Sequence, residues 1–362
     1  MRARLIVDLA AIAANWRRLA VAGAPAETAA VVKADAYGLG LAAVAPTLAR
    51  AGCRHFFVAR LEEGIALRAL LPDSRIFVLD GVGPGEAGVF RAHRLVPVLN
   101  HEGQIARWRE AAAAAGEPLE AALHVDTGMT RLGLADDRVL ALEPADFEGI
   151  RLVLIVSHLA CADDPDHPLN ARQLSTFLGI RQRFATIPAS LAASSGIFLG
   201  RAFHFDLLRP GAALYGVNPT PGRPNPMQPV VELRAPVIQI HDIRSVRTVG
   251  YGATRELPSG VRVATIAAGY ADGILRAASD RAVARYADFE LPIVGRVSMD
   301  LVTLDVSAVP PERIGEGCEV TLIGGADGVD RLAAAAGTIG YEVLARLGPR
   351  CARHYLPAEP GP

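Results

Sequence analysis

At 362 residues the chain is long enough for about two domains, or for one large barrel with an appendage. Hydrophobic residues make up 51% and charged residues 21%, which allows a large buried core and excludes a disordered chain. The net charge is −1 and the basic residues are scattered without blocks, which excludes a nucleic-acid surface and a polybasic membrane patch.

The N-terminus, MRARLIVDLAAIAANWRRLA, superficially resembles a secretory signal, with Arg2 and Arg4 ahead of an apolar run. Asp8 interrupts that run, and Asn15, Trp16, Arg17 and Arg18 stand where a cleavage region belongs. A strand followed by a helix fits better, with Asp8 as N-cap. No segment has the uninterrupted apolar length needed to span a bilayer. Cys53, Cys161, Cys318 and Cys351 lie far apart without ligand-like spacing. They predict no metal site and read as reduced thiols of a cytoplasmic protein.

From residue 28 short β-branched runs alternate with helical patterns. Strands are expected near 29–33, 54–59, 75–80, 95–99, 120–126, 152–157, 189–195 and 206–209. Between most of them lie helical patterns such as LEEGIALRALL, HEGQIARWREAAAAAG and NARQLSTFLGIRQRF. Eight βα units over about 200 residues predict an α/β fold of the TIM type, a (β/α)8 barrel. An open doubly wound sheet is the alternative, but no GxGxxG follows the first strand. GVNPTPGRPNPMQP, residues 216–229, reads as a linker. Beyond it, VVELRAPVIQIHDI, GVRVATIAA, ELPIVG, RVSMDLVTLDVS and CEVTLIGG predict a mainly-β C-terminal domain, with one late helix in TIGYEVLARLG. The expected division is a barrel domain over 1–228 and a β-rich domain over 229–362, with residues 1–10 pairing with the second.

Lys33 is the only lysine in the chain, although Lys and Arg together number 37. Compositional drift leaves a stray lysine somewhere, and so does a need for chemistry that arginine cannot perform. A guanidinium stays protonated, whereas an ε-amine can lose its proton and attack a carbonyl to form a Schiff base. Position helps to choose between the two. In such barrels chemistry gathers at the C-terminal ends of the strands. Lys33 ends the first expected strand, Arg131 follows the fifth, His158 the sixth, Ser194 and Ser195 the seventh, and Arg209 the eighth. A hydrogen-bonded structural role for His158, a salt bridge for Arg209 and a plain turn at SSG are the bland readings of the same residues. An amine at strand one with a phosphate site across the barrel mouth suits pyridoxal phosphate, which is tied down through aldehyde and phosphate.

Seven stretches in order, AVVKADAYGLG, HVDTGMTRLG, SHLACAD, LRPGAALYG, VGYGATRELPSG, AAGYADG and VGRVSMDLVTLDVS, resemble the alanine racemase family over essentially the whole length. The family is pyridoxal-phosphate-dependent. The resemblance implies a racemase that interconverts L- and D-alanine by two-base α-proton exchange on a cofactor imine. It also implies D-alanine supply for bacterial peptidoglycan. Lys33 would carry the cofactor, and Tyr37, Ser195, backbone amides around Gly211 and Ala212, and Tyr355 would hold its phosphate. Arg209 would face the pyridine nitrogen, with His158 beside the cofactor. Arg131 and the Met299 backbone would seat the substrate carboxylate, and Tyr270 and Arg276 would line the entrance. Tyr251 would be the second acid–base group, hydrogen-bonded to His158 and supplied by the other subunit of a homodimer with shared sites. The family often has lysine where this chain has His124, so His124 or an anion is expected to support Arg131. Ser194 replaces a frequent asparagine. A broad-specificity racemase and a non-catalytic cofactor carrier remain as alternatives, and the second-base tyrosine argues against the carrier.

Overall fold

The computed structural model describes residues 2–357. The chain starts with strand β1 (Arg4–Asp8), and Asp8 turns it into the helix Leu9–Gly23 by accepting the Ala11 amide at 2.9 Å. β2 (Glu27–Thr28) and β3 (Ala30–Val31) form one extended segment. β4 (His55–Val58), β5 (Arg75–Val78), β6 (Val96–Leu99), β7 (Leu119–His124), β8 (Ile150–Val156) and β9 (Ala189–Ser190) then add in sequence order as parallel neighbours.

β10 (Leu207–Leu208) closes the ring. It pairs in parallel with β2, and the Ala29 and Val31 amides donate to Leu208 and Pro210 at 2.9 Å each. On its other side the amides of Asp206 and Arg209 donate to Ala189 and Ala192 at 2.9 and 3.0 Å. The result is the expected TIM-type barrel. Its interior is filled by Val31, Phe57, Phe77, Val98, Ala122, Leu154 and Val156, with Phe57 and Phe77 stacked at 4.6 Å. The ends of the ring are short where the sequence suggests length: ASLAASS yields a two-residue strand, because the chain turns into a 3-10 segment at Ser195–Leu199.

Residues 216–230 form neither helix nor strand. They are pinned instead by Asn15, which is fully buried: its side-chain amide donates to the carbonyls of Leu214 and Gln228 and accepts the Gln228 amide at 2.7 Å. β11 (Val231–Asp242) then enters a mainly antiparallel β domain. It pairs with β1 and with the strands Arg262–Ile266 and Glu319–Ile323. β1 lies between β11 and the last strand, Ala352–Leu356. The sequence patterns missed the hairpin Arg247–Leu257, the strand Val283–Tyr286 and the helix Gly328–Ala335. That helix and the following one, Gly340–Ala345, are held near the barrel mouth. A Cβ on Gly38 of the barrel would stand 2.6 Å from the Leu344 carbonyl.

Candidate active site

The C-terminal ends of the barrel strands open into a cavity of about 910 Å³. Lys33, Tyr37, His124, Arg131, His158, Ser194, Ser195, Arg209, Gly211 and Ala212 all line it. Five strand ends separated by nearly 180 residues thus converge as the strand-end rule requires.

Lys33 is followed by an unusual backbone. Ala34, Asp35, Ala36 and Tyr37 all have φ between 53° and 57°, one turn of left-handed helix made without glycine. Each such residue costs about 1–2 kcal/mol, so the turn persists only because its surroundings hold it. The Gly40 amide reaches the Asp35 carbonyl at 2.9 Å and the Leu41 amide reaches the Asp35 carboxylate at 2.7 Å. Arg353 donates to the Gly38 carbonyl, and the Glu63 carboxylate accepts the Ala34 amide at 2.7 Å.

The cavity is cationic, and its charges are managed individually. Burial, and next the positive charge of Arg131, hold the Lys33 amine below its ordinary value, while Glu63 and Asp80 pull it back up. Arg209 is fully enclosed, and burial alone brings its pKa down to about 10, still charged at neutral pH. No carboxylate offsets it among the described residues. Its Nε donates to Ser190 Oγ at 2.8 Å, its Nη2 to the carbonyls of Ser157 and Leu191, and its plane lies over Phe57. The bland expectation of an ion pair is therefore not met: this is a guanidinium solvated by dipoles, and its hydrogen-bond partners among the described residues are all neutral.

Burial, and next Arg209, hold His158 well below the ordinary histidine value. His124 is brought down to about 4 by burial and then by Arg209. Its tautomer follows from Asn100. The Asn100 side-chain amide donates to the carbonyls of Leu79 and Val98, so its oxygen must face His124 Nδ1, 2.7 Å away. Nδ1 therefore carries the proton. The His124 ring is tied to Asn100 through Nδ1, and Arg131, expected to be supported by His124 or an anion, is exposed.

Two phosphate-site expectations also change. The Gly211 amide does not point into free space, because it donates to Ser194 Oγ at 3.0 Å, as does the Ala213 amide at 3.1 Å. Gly211 is instead needed for space: a Cβ there would stand 2.3 Å from the Tyr37 hydroxyl. Tyr355 does not line the cavity. It sits on the last strand and its hydroxyl donates to the Leu39 carbonyl at 3.0 Å. Tyr341 lines the cavity instead, against Ser195 and 6.3 Å from the Tyr37 ring. The first amides of the 3-10 turns at Ser195 and Ala212 lack acceptors within their own turns and begin at the same wall.

Tyr251 and Met299 stand apart from this cavity in their own chain. They are 70% and 53% exposed, on the β domain. Tyr251 is presented between Gly250 and Gly252, both at positive φ, and Gly252 abuts the Arg296 guanidinium. Tyr270 is exposed beside Met299, and its amide donates to the Ser298 carbonyl at 3.0 Å.

Sequence reasoning missed Asp80, Asn100, Glu63, Gln173 and Tyr341. Asp80 and Asn100 directly follow apolar strand runs, FVLD and PVLN, and the strand-end rule was enough to flag them. Gln173 sits mid-helix, fully buried, and carried no signal. Its side chain joins Thr127 and the His158 carbonyl and accepts the Ala160 amide, which ties the Arg131 loop to the His158 loop.

Residues 7–219 match the family model "Alanine racemase, N-terminal domain" and residues 230–355 match "Alanine racemase, C-terminal domain". An alanine racemase of Methylobacterium nodulans is 50% identical over 355 residues, covering 98% of this chain and 96% of that one. A catabolic alanine racemase of Mesorhizobium japonicum is 50% identical over 357 residues, covering 97% and 93%. Among solved structures, the alanine racemase of Bartonella henselae with covalently bound pyridoxal phosphate superposes with a TM-score of 0.94 at 38% identity, covering 98% of this chain and all of that one. The chain belongs to the alanine racemase family.

The neutral histidines have a consequence for stability. In the unfolded chain His124 takes up a proton near its ordinary 6.5, and in the folded protein only near about 4. Between these values the unfolded state binds more protons, so stability falls as the pH drops from 6.5 and levels off below about 4. The full difference is on the order of 3 kcal/mol for this residue. Urea unfolding across that range should show a shallower acid decline for His124→Gln than for the natural protein. Parallel declines would mean that His124 is protonated in the fold.

Proposed function

We propose that the protein racemises alanine with pyridoxal phosphate, through two acid–base groups supplied by two subunits. The observation that carries the reading is the pairing of the only lysine, partly dehydrated at the cavity floor, with a fully buried arginine that has no carboxylate partner among the described residues. The residues present suit the cofactor. A primary amine with a lowered pKa would meet its aldehyde, and Tyr37, Ser195, Tyr341 and the amide of Ala212, which line the same cavity, would hold its phosphate. Arg209 is the charged group for the ring nitrogen. Pyridoxal phosphate, when bound, supplies the electron sink that lets an amino acid lose its α-proton.

The chain's own groups do the rest. Lys33, held below the ordinary lysine range, can take and return a proton on one face of the substrate. Arg131, exposed at the cavity wall, binds the substrate carboxylate, and the Met299 backbone of the partner subunit seats it. Arg209, still charged at neutral pH, would face the ring nitrogen as a donor and would leave it unprotonated. The electron sink that the cofactor supplies would then be shallow, which would favour rapid return of the proton over transamination. Tyr251 of the partner subunit serves the opposite face, because Tyr251 in the same chain is turned away on an exposed apex. A two-fold dimer would bring the β-domain cluster of Tyr251, Met299 and Tyr270 over the partner's cavity. We place the division between domains at residues 228 and 229.

No helix among the described residues is long and apolar enough to cross a membrane. The four cysteines are free, which suits a reducing cytoplasm. Enantiomers have equal free energies, so the direction of flow is set by consumption. We assign the product D-alanine to peptidoglycan synthesis.

Incubated with L-alanine in deuterium oxide, the protein should produce D-alanine carrying deuterium at the α-carbon. Lys33→Arg should reduce this by several orders of magnitude, since no other lysine can substitute. Undiminished conversion by Lys33→Arg would reject the reading.

Shared sites make a separate forecast. Lys33→Ala and Tyr251→Ala homodimers should each be nearly inactive. After dissociation, mixing in equal amounts and reassociation, about half the dimers are hybrids with one intact site, so about a quarter of the natural activity should return. Verified subunit exchange without recovery would place both bases in one chain.

The corrected tyrosine is tested by cofactor retention. Tyr341→Phe should raise the dissociation constant for pyridoxal phosphate about tenfold in equilibrium dialysis, from loss of one hydrogen bond to a charged group. Tyr355→Phe should leave it within about twofold. The reverse order would return the phosphate role to Tyr355.

A further inference from the structure

Four residues in a row hold left-handed geometry immediately after the reactive lysine, and one side chain from another βα unit grips the first of them. Glu63 lies in the first turn of the helix Leu61–Leu70, which follows β4. One carboxylate oxygen accepts the Ala59 amide at 2.8 Å and the Arg60 amide at 3.2 Å, which caps its own helix. The other oxygen faces across the loop and accepts the Ala34 amide at 2.7 Å. Capping uses only the first oxygen. The second joins the C-terminal end of β4 to the residue next to Lys33.

We propose that Glu63 is the positioning residue of the reactive amine: its carboxylate fixes the start of the left-handed turn and thereby where the Lys33 side chain leaves the barrel. The proposal rests on Lys33 being the reactive amine, and it adds a group that touches neither substrate nor cofactor. Glutamate is the side chain the geometry requires. Three backbone N–H donors converge on it, and a carboxylate offers only acceptors, whereas a glutamine amide would turn N–H against N–H at one of the three. Aspartate keeps the charge and can still reach the amides of its own helix start, but it is one methylene too short for Ala34.

The charge matters as well as the reach. The groups facing the Lys33 amine are Arg131 from the loop after β7, Arg209 from the end of β10, Asp80 after β5 and Glu63, with His124 and His158 neutral nearby. Both arginines depress the amine's proton affinity, and the two carboxylates restore part of it. Removing Glu63 leaves Asp80 alone against two guanidinium groups. The amine's titration should then move further down.

Because Lys33 is the only lysine, the full-length protein reports on it directly. After removal of cofactor, reductive methylation with ¹³C-formaldehyde labels only Lys33 and the chain N-terminus, and the titration of the Lys33 resonance is read by NMR. In parallel, capture of added pyridoxal phosphate is timed by borohydride trapping and mapped to Lys33. Glu63→Gln should lower the titration midpoint by roughly half a unit or more and slow capture about tenfold or more. Glu63→Asp should slow capture similarly while keeping its thermal midpoint, and it carries the test if Glu63→Gln does not fold. If Glu63→Asp captures cofactor at the natural rate, and Glu63→Gln loses thermal stability without change in titration or capture, Glu63 is only a helix cap and the proposal is overturned. Failure of the natural protein to be trapped at Lys33 would instead reject the underlying assignment of the reactive amine.

Discussion

The buried charge of Arg209 is the constraint around which the barrel mouth is built. A guanidinium taken wholly out of water needs acceptors for its protons, and here they come from neutral groups. They are the carbonyl of Ser157 beyond β8, the carbonyl of Leu191 and hydroxyl of Ser190 at β9, and the face of Phe57 in β4. β9 and β10 contribute only two residues each to the sheet, so this is the seam where the ring has fewest ladder bonds. Arg209 spans it, and its own amide adds a bond to Ala192. The residue that sets the electrostatics of the cavity therefore also closes the barrel. A carboxylate beside it would neutralise the charge, and His158 and His124, lowered first by burial, would lose the field that is the second influence lowering them.

That field divides the labour between two kinds of cation. Arginine carries permanent charge, and 36 of the 37 basic residues in the chain are arginine. Lysine carries charge that can be removed, and it occurs once, where burial and the arginines lower its proton affinity. A second lysine at the mouth would compete for an aldehyde. Burial, and next Arg209, keep the His124 ring neutral, and Asn100 fixes which nitrogen of that neutral ring bears the proton. The cavity thus contains guanidinium groups, imidazoles kept uncharged and one amine whose proton affinity is lowered.

Strand order and barrel closure were legible because each barrel strand is an apolar run bounded by polar residues, a pattern independent of partners. Lys33, His158 and Arg209 were legible because they end those runs, and the motif around each adds specificity. Tyr341 was not. It sits in a helix that the pattern assigned to the β domain, and only the packing of Leu344 against Gly38 brings that helix to the barrel mouth. Tyr355 misled because an aromatic hydroxyl near the chain end gives no sign that the Leu39 carbonyl will claim it. Glu63 and Gln173 were silent for a related reason. Each reaches into a second βα unit, Glu63 to the Ala34 amide and Gln173 to the Thr127 hydroxyl, and a sequence pattern records neither the partner nor the distance.

The chain's beginning explains why the two domains act as one frame. β1 lies inside the β domain, between β11 and the final strand, yet the helix that follows it packs on the barrel. The same helix carries Asn15, whose side chain holds the linker at Leu214 and Gln228. The β domain is therefore fastened to the barrel at both ends of the linker, through a strand and through a buried amide, and it does not hang from one flexible segment. Such fastening fixes the direction in which the apex at Tyr251 points. In the proposed shared-site dimer, an acid–base group working in the other subunit's cavity would gain nothing from a mobile domain, since the reacting atoms must be held within a fraction of an ångström. Rigidity within each chain would then let a residue exposed in one subunit act as a fixed wall for the other.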